Sequence, residues 1–291
     1  MQNMRISNYL KGVKRRNKNI NILSTIYIII FYYNIILNFL TFRPLLINIR
    51  ENTYENVDLF FFPNQNCAYI WKPIEDESEN TKILFYINNF EGNCSTRFNL
   101  MKRFQDILPN YYTIVHFDLS GFGMSSQTEC NMVTIEQSLI ENINYFIENF
   151  SETPNFDIFT ENEAIVPIIK ILKHLTIKPQ NMIHLNPQKS LFDYIVKKYT
   201  IFLFPFYFSY IFEKSIDTEF KNHFLQYQET KILFINNQEF KNDFHSMYLE
   251  YDFVPLANKY KITISGKGPT SLILHQNSKS LSQFFDISLS G

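Results

Sequence analysis

Short, strongly apolar segments alternate with longer segments over most of the chain beyond residue 80. The short segments have the length and composition of buried strands, and they are residues 82–87, 111–117, 156–159, 182–185, 231–235 and 261–265. The longer segments favour helices, and they are residues 96–108, 135–150 and 165–175. This alternation predicts an α/β fold with a mostly parallel sheet and helices on both faces.

The most apolar part of the chain lies near its N-terminus. Residues 19–42 contain no charged side chain, and residues 20–42 are mostly Ile, Leu, Phe and Tyr. A helix of this length runs roughly 35 Å, enough to cross a hydrocarbon core of about 30 Å. We therefore expect a transmembrane helix over 20–42. The alternative is a cleaved signal peptide, which the length of the apolar stretch and the lack of an A-x-A-like site disfavour.

Charge is distributed unevenly along the chain. The first 50 residues hold 8 of the 27 basic residues and none of the 28 acidic ones, so the remainder carries a net charge of about −9 with histidine neutral. An excess of basic residues before the apolar segment places the N-terminus in the cytoplasm and the rest in a lumen or outside the cell. The tail suits anionic membrane lipids, whereas the acidic remainder excludes a nucleic-acid binder.

Four regions follow from these patterns in the 291 residues, 45% of which are hydrophobic. We predict a basic cytoplasmic tail over 1–19, the transmembrane helix over 20–42, a linker with the first strands over 43–80, and an α/β domain over 81–291. A lid-like insertion is expected at about 188–229. Its charge-free aromatic run is too short to span a bilayer, so it packs over the core or contacts a membrane surface or an apolar ligand.

Cysteine and histidine residues give few signals of chemistry. Cys67, Cys94 and Cys130 permit one disulfide in a lumenal compartment and leave one thiol over. Asn93 and Asn149 each begin an N-x-S glycosylation pattern. The histidines show no metal-ligand spacing, and no phosphate-binding or dinucleotide-binding glycine loop is present. We therefore predict no metal site and no cofactor.

Residues 118–125 read DLSGFGMS and follow a predicted strand. The two glycines permit a tight turn, and the Asp and Ser side chains can hydrogen-bond exposed backbone amides. The sequence therefore predicts a structural turn at this position.

Together with a second motif, this turn resembles the α/β-hydrolase fold family, in particular its membrane-anchored serine hydrolases with short lids. Residues 118–125 match the family pattern D-x-x-G-x-G-x-S. Residues 88–97 align without gaps on H-G-N-x-G-N-x-x-x-R, where Gly92, Asn93 and Arg97 agree. The resemblance covers roughly residues 81–285, and it implies a hydrolase fold and, in active members, a Ser-His-acid triad.

The positions that carry catalysis in the family are changed. The strand-to-helix turn that would be G-x-S-x-G is Thr160-Glu161-Asn162-Glu163-Ala164, so a carboxamide stands in place of the nucleophile. Phe240 stands where the family acid is expected, and Pro269-Thr270 stands near the expected histidine. A triad acts as a unit, so the sequence assigns no catalytic residue.

The oxyanion hole is also altered. Asn88-Asn89 replaces the His-Gly of the family, which removes the glycine that helps the backbone approach a substrate. Glu161 and Glu163 flank Asn162 with negative charge, which opposes a developing oxyanion.

Displaced residues offer alternatives to the missing triad. Glu239 or Asp243 could act as the acid if the loop shifted, and His275 could act as a displaced base. Cys94, near the start of a helix, is a candidate nucleophile. Deamidation of Asn162 to Asp is disfavoured because Glu163, not Gly, follows it.

Three functional hypotheses remain. The first is a single-pass membrane pseudoenzyme that binds a lipid, an acyl-bearing ligand or a protein partner through its former active site. The alternative is an active hydrolase of acyl esters or thioesters that uses displaced residues. The third is a structural or anchoring protein without a ligand pocket.

Overall fold

The computed structural model describes residues 24, 56–73, 82–109, 111–125, 130–150, 155–187, 229–237, 258–264, 279, 281 and 283–285. The chain divides between Thr41 and Phe42 into two units. The strands and helices described below all belong to the second unit.

Within the described ranges, eight strands form one sheet in the order β1-β2-β4-β3-β5-β6-β7-β8. The strands are β1 (Val57–Phe61), β2 (Cys67–Trp71), β3 (Lys82–Ile87), β4 (Tyr112–Phe117), β5 (Phe156–Glu161), β6 (Asn181–Leu185), β7 (Lys231–Asn237) and β8 (Lys259–Ile264). Strand β2 pairs antiparallel with β1 and β4, and all other neighbours are parallel. The sheet is therefore mostly parallel, as the alternating pattern predicts, with an antiparallel edge.

Helices connect the strands of the parallel part. They are α1 (Cys94–Gln105), α2 (Met132–Phe150) and α3 (Ile165–Ile171), and α3 continues into a 3₁₀ turn, Leu172–His174. Helix α1 begins two residues earlier than predicted because Asn93 caps it: the Asn93 side chain accepts the Thr96 amide at 2.8 Å. The predicted helix over 165–175 is shorter than expected, since its last turn is a 3₁₀ turn.

Each face of the sheet is covered by a separate apolar core. One core packs Phe85 and Ile158 of the sheet with side chains of α2 and α3, such as Ile143 and Ile168. The other packs Leu84, Tyr86 and Phe159 with Met101 and Phe104 of α1 and with Leu281, Phe284 and Phe285. Alternate residues of β3 and β5 thus enter opposite cores, which requires strands buried on both faces.

Buried polar groups hold β5 in register at the end where it begins. The Lys82 ammonium lies 3.0 Å from the Asp157 carboxylate, and the Tyr112 hydroxyl donates to the same carboxylate at 2.6 Å. Asn181 donates to the other Asp157 oxygen from its backbone and its side chain. Asp157 is thus paired on both oxygens, which is the condition for burying a carboxylate. The group ties β3, β4 and β6 to β5.

Several sequence predictions fall outside the described residues. These are the tail over 1–19, most of segment 20–42, and the lid-like insertion apart from Glu229. Of segment 20–42 only Ser24 is described, and it is helical. In the described part of the chain, no helix is long and apolar enough to cross a membrane. The transmembrane helix therefore stays a prediction.

Candidate functional site

The sharp turn between β5 and α3 has the geometry of a nucleophile elbow. Strand β5 ends at Glu161, and Asn162–Ala164 forms a 3₁₀ turn that leads into α3. Asn162 has φ +48°, in the left-handed region that Asn tolerates better than most residues. It is half-buried, whereas Glu161 and Glu163 on either side are buried. The side chain raised at the turn is a carboxamide.

The loop after β3 is shaped by its own side chains. The Asn88 amide group donates to the carbonyls of Asn89 at 2.9 Å and Gly92 at 2.7 Å. Arg97 of α1 donates to the Asn89 side-chain oxygen at 2.8 Å. Asn88 therefore bridges two points of the loop, and Arg97 fixes its middle from the following helix.

This loop meets the elbow at the Glu163 carboxylate. The Phe90 backbone N–H donates to Glu163 Oε1 at 2.7 Å, and the Glu163 residue is fully buried. In the α/β-hydrolase architecture, an oxyanion hole consists of the amide after the nucleophile and an amide from the loop after β3. The corresponding amides here are those of Glu163 and Phe90. The Glu163 carboxylate thus accepts the Phe90 amide, and the Glu163 amide also stabilises its charge.

The environment of Glu163 changes its acidity. Burial, with a smaller contribution from the Glu161 charge, raises the pKa of Glu163 to about 7. The amides of Glu163 itself and of Phe90 oppose this rise, as does the Arg97 charge, because each stabilises the ionised form. Among the described residues, Glu163 Oε2 has no hydrogen-bond partner. The group is a buried carboxylate held by amides on one oxygen only.

The neighbouring carboxylate, Glu161, is fully engaged. The Tyr86 hydroxyl donates to Glu161 Oε1, and Arg97 Nη2 lies 3.2 Å from Glu161 Oε2. Burial and the Glu161 charge raise the pKa of Tyr86 well above its usual value, so the phenol stays protonated as the donor. Arg97 therefore links the elbow to Asn89 in the loop.

The turn at 118–125 is structural, as its sequence predicts. Asp118 accepts the Cys94 amide at 2.6 Å and the Met124 amide at 2.8 Å, one on each oxygen. The Ser125 hydroxyl donates to the Asp118 carbonyl at 2.5 Å and accepts the Cys67 amide at 2.9 Å. Asp118 thereby fixes the start of α1, which immediately follows the loop of the candidate site.

Two buried histidines contact polar side chains near the site. The His184 ring lies 2.7 Å from the Thr160 hydroxyl, and the His116 ring lies 3.2 Å from the Asn88 side-chain oxygen. Burial lowers the pKa of each histidine to about 3, and the Arg97 charge adds to this for His116. All four side chains are buried. Thr160 and His184 form a hydroxyl–imidazole pair, but it lies inside the sheet, between β5 and β6.

Cys94 does not have the environment of a reactive thiol. Its Sγ donates to the His116 carbonyl at 3.0 Å, and burial, followed by the Asp118 charge, raises the pKa of Cys94 well above its usual value. A thiol of this kind stays protonated and is a poor nucleophile. All three cysteines are free thiols. Asn93 is buried as the α1 cap, which leaves no exposed amide for glycosylation at that position.

Other candidates from the sequence lie outside the described residues. They are Phe240, Glu239, Asp243, Pro269, Thr270 and His275. Within the described residues, no group of three or more His, Cys, Asp and Glu side chains is arranged to hold a metal ion.

Neither a family model nor a curated protein matches the chain. Solved structures do match it over most of its length. An esterase from Pyrococcus furiosus superposes with a TM-score of 0.58 at 10% identity, over 84% of this chain and 97% of its own. The ferulic acid complex of Est1E from Butyrivibrio proteoclasticus gives 0.56 at 10% identity, over 78% and 98%. A butyrate-bound esterase, Est2 from Thermogutta terrifontis, gives 0.55 at 12% identity, over 80% and 94%.

The domain has the α/β-hydrolase fold. This confirms the resemblance drawn from residues 88–97 and 118–125, and the fold places the β3 loop and the elbow side by side at the carboxyl ends of the parallel strands.

The sequence analysis did not predict one contact of the candidate site, the hydrogen bond from the Phe90 amide to Glu163. The sequence indicates negative charge beside Asn162 but not that the Glu163 carboxylate turns inward to Phe90. The sequence signal that could have identified this contact is the position of each residue beside a family motif. Phe90 follows Asn88-Asn89, the pair that replaces the His-Gly of the family, and Glu163 follows the elbow residue.

Proposed function

We propose that this protein is a non-catalytic, membrane-attached binding protein with an α/β-hydrolase fold. The observation that carries the proposal is the Glu163 carboxylate, which accepts the Phe90 amide at 2.7 Å where a hydrolase needs a free donor. Asn162 supports it from the same turn, because a neutral carboxamide does not attack a carbonyl carbon.

Hydrolysis of an acyl ester or thioester passes through a tetrahedral oxyanion that backbone amides stabilise. With the Phe90 amide engaged and a carboxylate in the hole, this intermediate would lose a donor and meet a like charge. Loss of one oxyanion donor alone costs about 10²–10³ in rate. The missing nucleophile adds to that loss, so the arrangement favours binding without turnover.

A second candidate is an acyl ester or thioester hydrolase that uses displaced residues. The three proteins named above with matching structures are esterases, which is the reason to consider a hydrolase. At 10–12% identity their likeness reports the fold alone. The Thr160–His184 pair is the contact that could supply a hydroxyl and a base. Its burial in the sheet, with a neutral and inaccessible imidazole, argues against that role.

The full-length chain, purified in nanodiscs, is expected to show no turnover of butyryl esters or thioesters above a heat-denatured control, and no specific labelling by a fluorophosphonate. Asn162→Ser is expected to stay inactive as well, because Glu163 still occupies the oxyanion hole. Thr160→Val and Cys94→Ala each remove the hydroxyl or thiol of an alternative nucleophile and are assayed beside the native protein. Turnover by the native protein that either variant abolishes, while thermal unfolding stays normal, would establish the hydrolase instead.

The membrane attachment rests on the apolar segment 20–42 and the basic residues before it. These support a single-pass anchor with the N-terminus in the cytoplasm and the α/β-hydrolase domain lumenal or extracellular. In sealed microsomes, protease should leave the C-terminal domain intact until detergent is added. Complete digestion without detergent would reverse the orientation, and release of the chain by carbonate would remove the anchor from the proposal.

A further inference from the structure

Exposed apolar side chains cluster where β1 forms one edge of the sheet. Among the described residues, four large hydrophobic side chains are exposed: Leu59 (44%), Phe61 (51%), Val133 (70%) and Phe150 (51%). Leu59 and Phe61 belong to β1 itself, and the Phe150 ring packs edge-on against Phe60 of the same strand, with the ring centroids 5.2 Å apart. Three of the four thus lie together at this edge. Leu59, Phe61 and Phe150 are called the β1 patch below.

The β1 patch lies on both sides of the sheet edge. Successive side chains of a strand point to opposite faces. Phe60 points toward α2, where it contacts Phe146 and Phe150, so Leu59 and Phe61 point to the other face. Among the described strands, β1 pairs with β2 alone. A flat surface that meets this edge therefore contacts all three side chains of the β1 patch.

The strand that carries most of the β1 patch has little charge. Edge strands usually protect themselves with charged side chains, but in β1 the charged residue is Asp58 alone, and its carboxylate lies 2.8 Å from the Lys72 ammonium. The turn that follows β1 contains the uncharged residues Asn64, Gln65 and Asn66. An exposed apolar patch of this kind is typical of a surface that binds a partner.

The place of β1 in the chain points to a membrane as that partner. The proposed anchor ends at residue 42, and residues 43–56, which number 14, connect it to Val57 at the start of β1. A chain of this length spans at most about 50 Å, which is close to the width of about 45 Å expected for a globular domain of this size. The β1 end of the α/β-hydrolase domain is therefore held within about one domain width of the bilayer.

We propose that the β1 patch docks on the surface of the membrane that holds the chain, with Leu59, Phe61 and Phe150 inserted among the lipid headgroups. The inference rests on the membrane attachment in the proposed function and adds the surface by which the domain meets the bilayer. Apolar side chains at a membrane surface reach about 5–10 Å into the boundary between headgroups and acyl chains. The net charge of about −9 beyond residue 50 opposes anionic lipids, so the matching surface has zwitterionic headgroups.

Tryptophan placed in the β1 patch reports contact with lipid. Phe61→Trp and Phe150→Trp each add one tryptophan to the full-length chain, whose native Trp71 is buried in β2. In nanodiscs of phosphatidylcholine brominated near the carboxyl ends of its acyl chains, both variants should lose fluorescence relative to unbrominated nanodiscs. The wild type, with Trp71 alone, measures the background.

Val133→Trp is the matched control, since Val133 is exposed but lies away from β1. It lines a groove between α2 and α3, beside the ion pair of Glu136 with Lys170 at 3.0 Å. Along the axis of α2 it is about 26 Å from Phe150. Val133→Trp should therefore show no quenching beyond that of the wild type.

Adding charge to the β1 patch tests whether its side chains act together. In the Phe150→Trp protein, Phe61→Asp removes apolar contact area and adds a charge, so the ratio of docked to undocked domain should fall by about tenfold, and the quenching should fall with it. Val133→Asp makes the same change at an exposed side chain outside the β1 patch and should leave the quenching unchanged. Thermal unfolding checks that each variant is folded.

The other outcomes overturn the inference or separate it from the proposed function. Unquenched Phe61→Trp in protein that stays in the nanodisc would overturn the β1 patch as a membrane contact and leave the anchor standing; cross-linking of two copies through the β1 patch would then assign it to self-association. Equal quenching of Val133→Trp would also overturn it, as would a glycan that Asn149→Gln removes, because that glycan would hold the adjacent Phe150 in water. Protein that carbonate releases from vesicles, but whose Phe61→Trp variant brominated vesicles still quench, would overturn the anchor and keep the β1 patch. Release without quenching would overturn both.

Discussion

Replacing Gly123 with Ala is expected to destabilise the α/β-hydrolase domain by about 3–5 kcal/mol. Gly123 has φ +52°, and a Cβ there would lie 2.0 Å from Asp118 Oδ2. The left-handed backbone alone costs an L-residue about 1–2 kcal/mol. The overlap also forces the Asp118 carboxylate away from the Cys94 and Met124 amides, which it accepts at 2.6 and 2.8 Å. The Cys94 bond is buried and the Met124 bond partly buried, and both are to a carboxylate, so their loss dominates.

Unfolding of this variant can be followed by the fluorescence of Trp71, the one tryptophan of the chain, which is buried in β2. Gly92→Ala is the matched control. Its backbone is not in the left-handed region, and its Cβ would first meet Arg97 Nε, at 3.0 Å, so a loss of about 1 kcal/mol is expected. Equal and small losses in both variants would mean that the Asp118 turn contributes little to stability.

Much of the fold could be predicted from the sequence because the strands are buried on both faces. Residues 82–87 form β3 as predicted, and β4 and β6 differ from prediction by one residue at one end. The longer errors occur where a contact distant in sequence or a cap sets the boundary. Strand β5 continues to Glu161 because Arg97 and Tyr86 pair with that charged residue. A hydrophobic pattern alone ends the strand before it.

The turn at 118–125 and the elbow at Asn162 differ in how far the sequence reveals them. The turn has local bonds, since Asp118 accepts the Met124 amide and the Ser125 hydroxyl donates to the Asp118 carbonyl, and its sequence predicts its role. Its bonds to the Cys94 and Cys67 amides reach farther along the chain and needed the structure. The backbone turn of the elbow is formed by neighbouring residues, but its Glu163 side chain contacts a residue far away in the sequence. Glu163 meets Phe90 across 73 positions of sequence. Sequence reasoning could identify the charge but not the partner, because the partner depends on the parallel pairing of β3 with β5.

The same distinction explains why Cys94 and the Thr160–His184 pair needed the structure. Proximity to a helix start made Cys94 a candidate nucleophile, yet burial and the Asp118 charge act in the opposite direction on its pKa. Thr160 and His184 approach only because β5 and β6 are neighbours in register. In each case burial decides whether the side chain can react, and burial is difficult to predict from a single sequence.

The difference in stability between Glu163→Gln and the wild type is expected to grow by about 3 kcal/mol as pH rises from 4.5 to 8. The pKa of Glu163 is about 7 in the folded protein, against 4.5 for an unperturbed Glu. Between these values the unfolded chain has lost the proton and the folded one retains it. The folded state therefore binds more protons, and the stability of the wild type falls with rising pH. The carboxamide in Glu163→Gln cannot ionise, so the variant lacks this loss.

The difference in the free energy of unfolding between Glu163→Gln and the wild type cancels the contributions that both proteins share. The cost of burying an amide NH₂ near the position of Oε2 is independent of pH and shifts the whole curve, and titration of Asp118 and Asp157 is common to both proteins. Denaturant unfolding of the full-length chain, followed by Trp71, gives the free energy of unfolding at each pH, with Glu136→Gln as control. A flat difference for Glu163→Gln across pH 5–8 would show that this carboxylate is ionised at no cost in the fold.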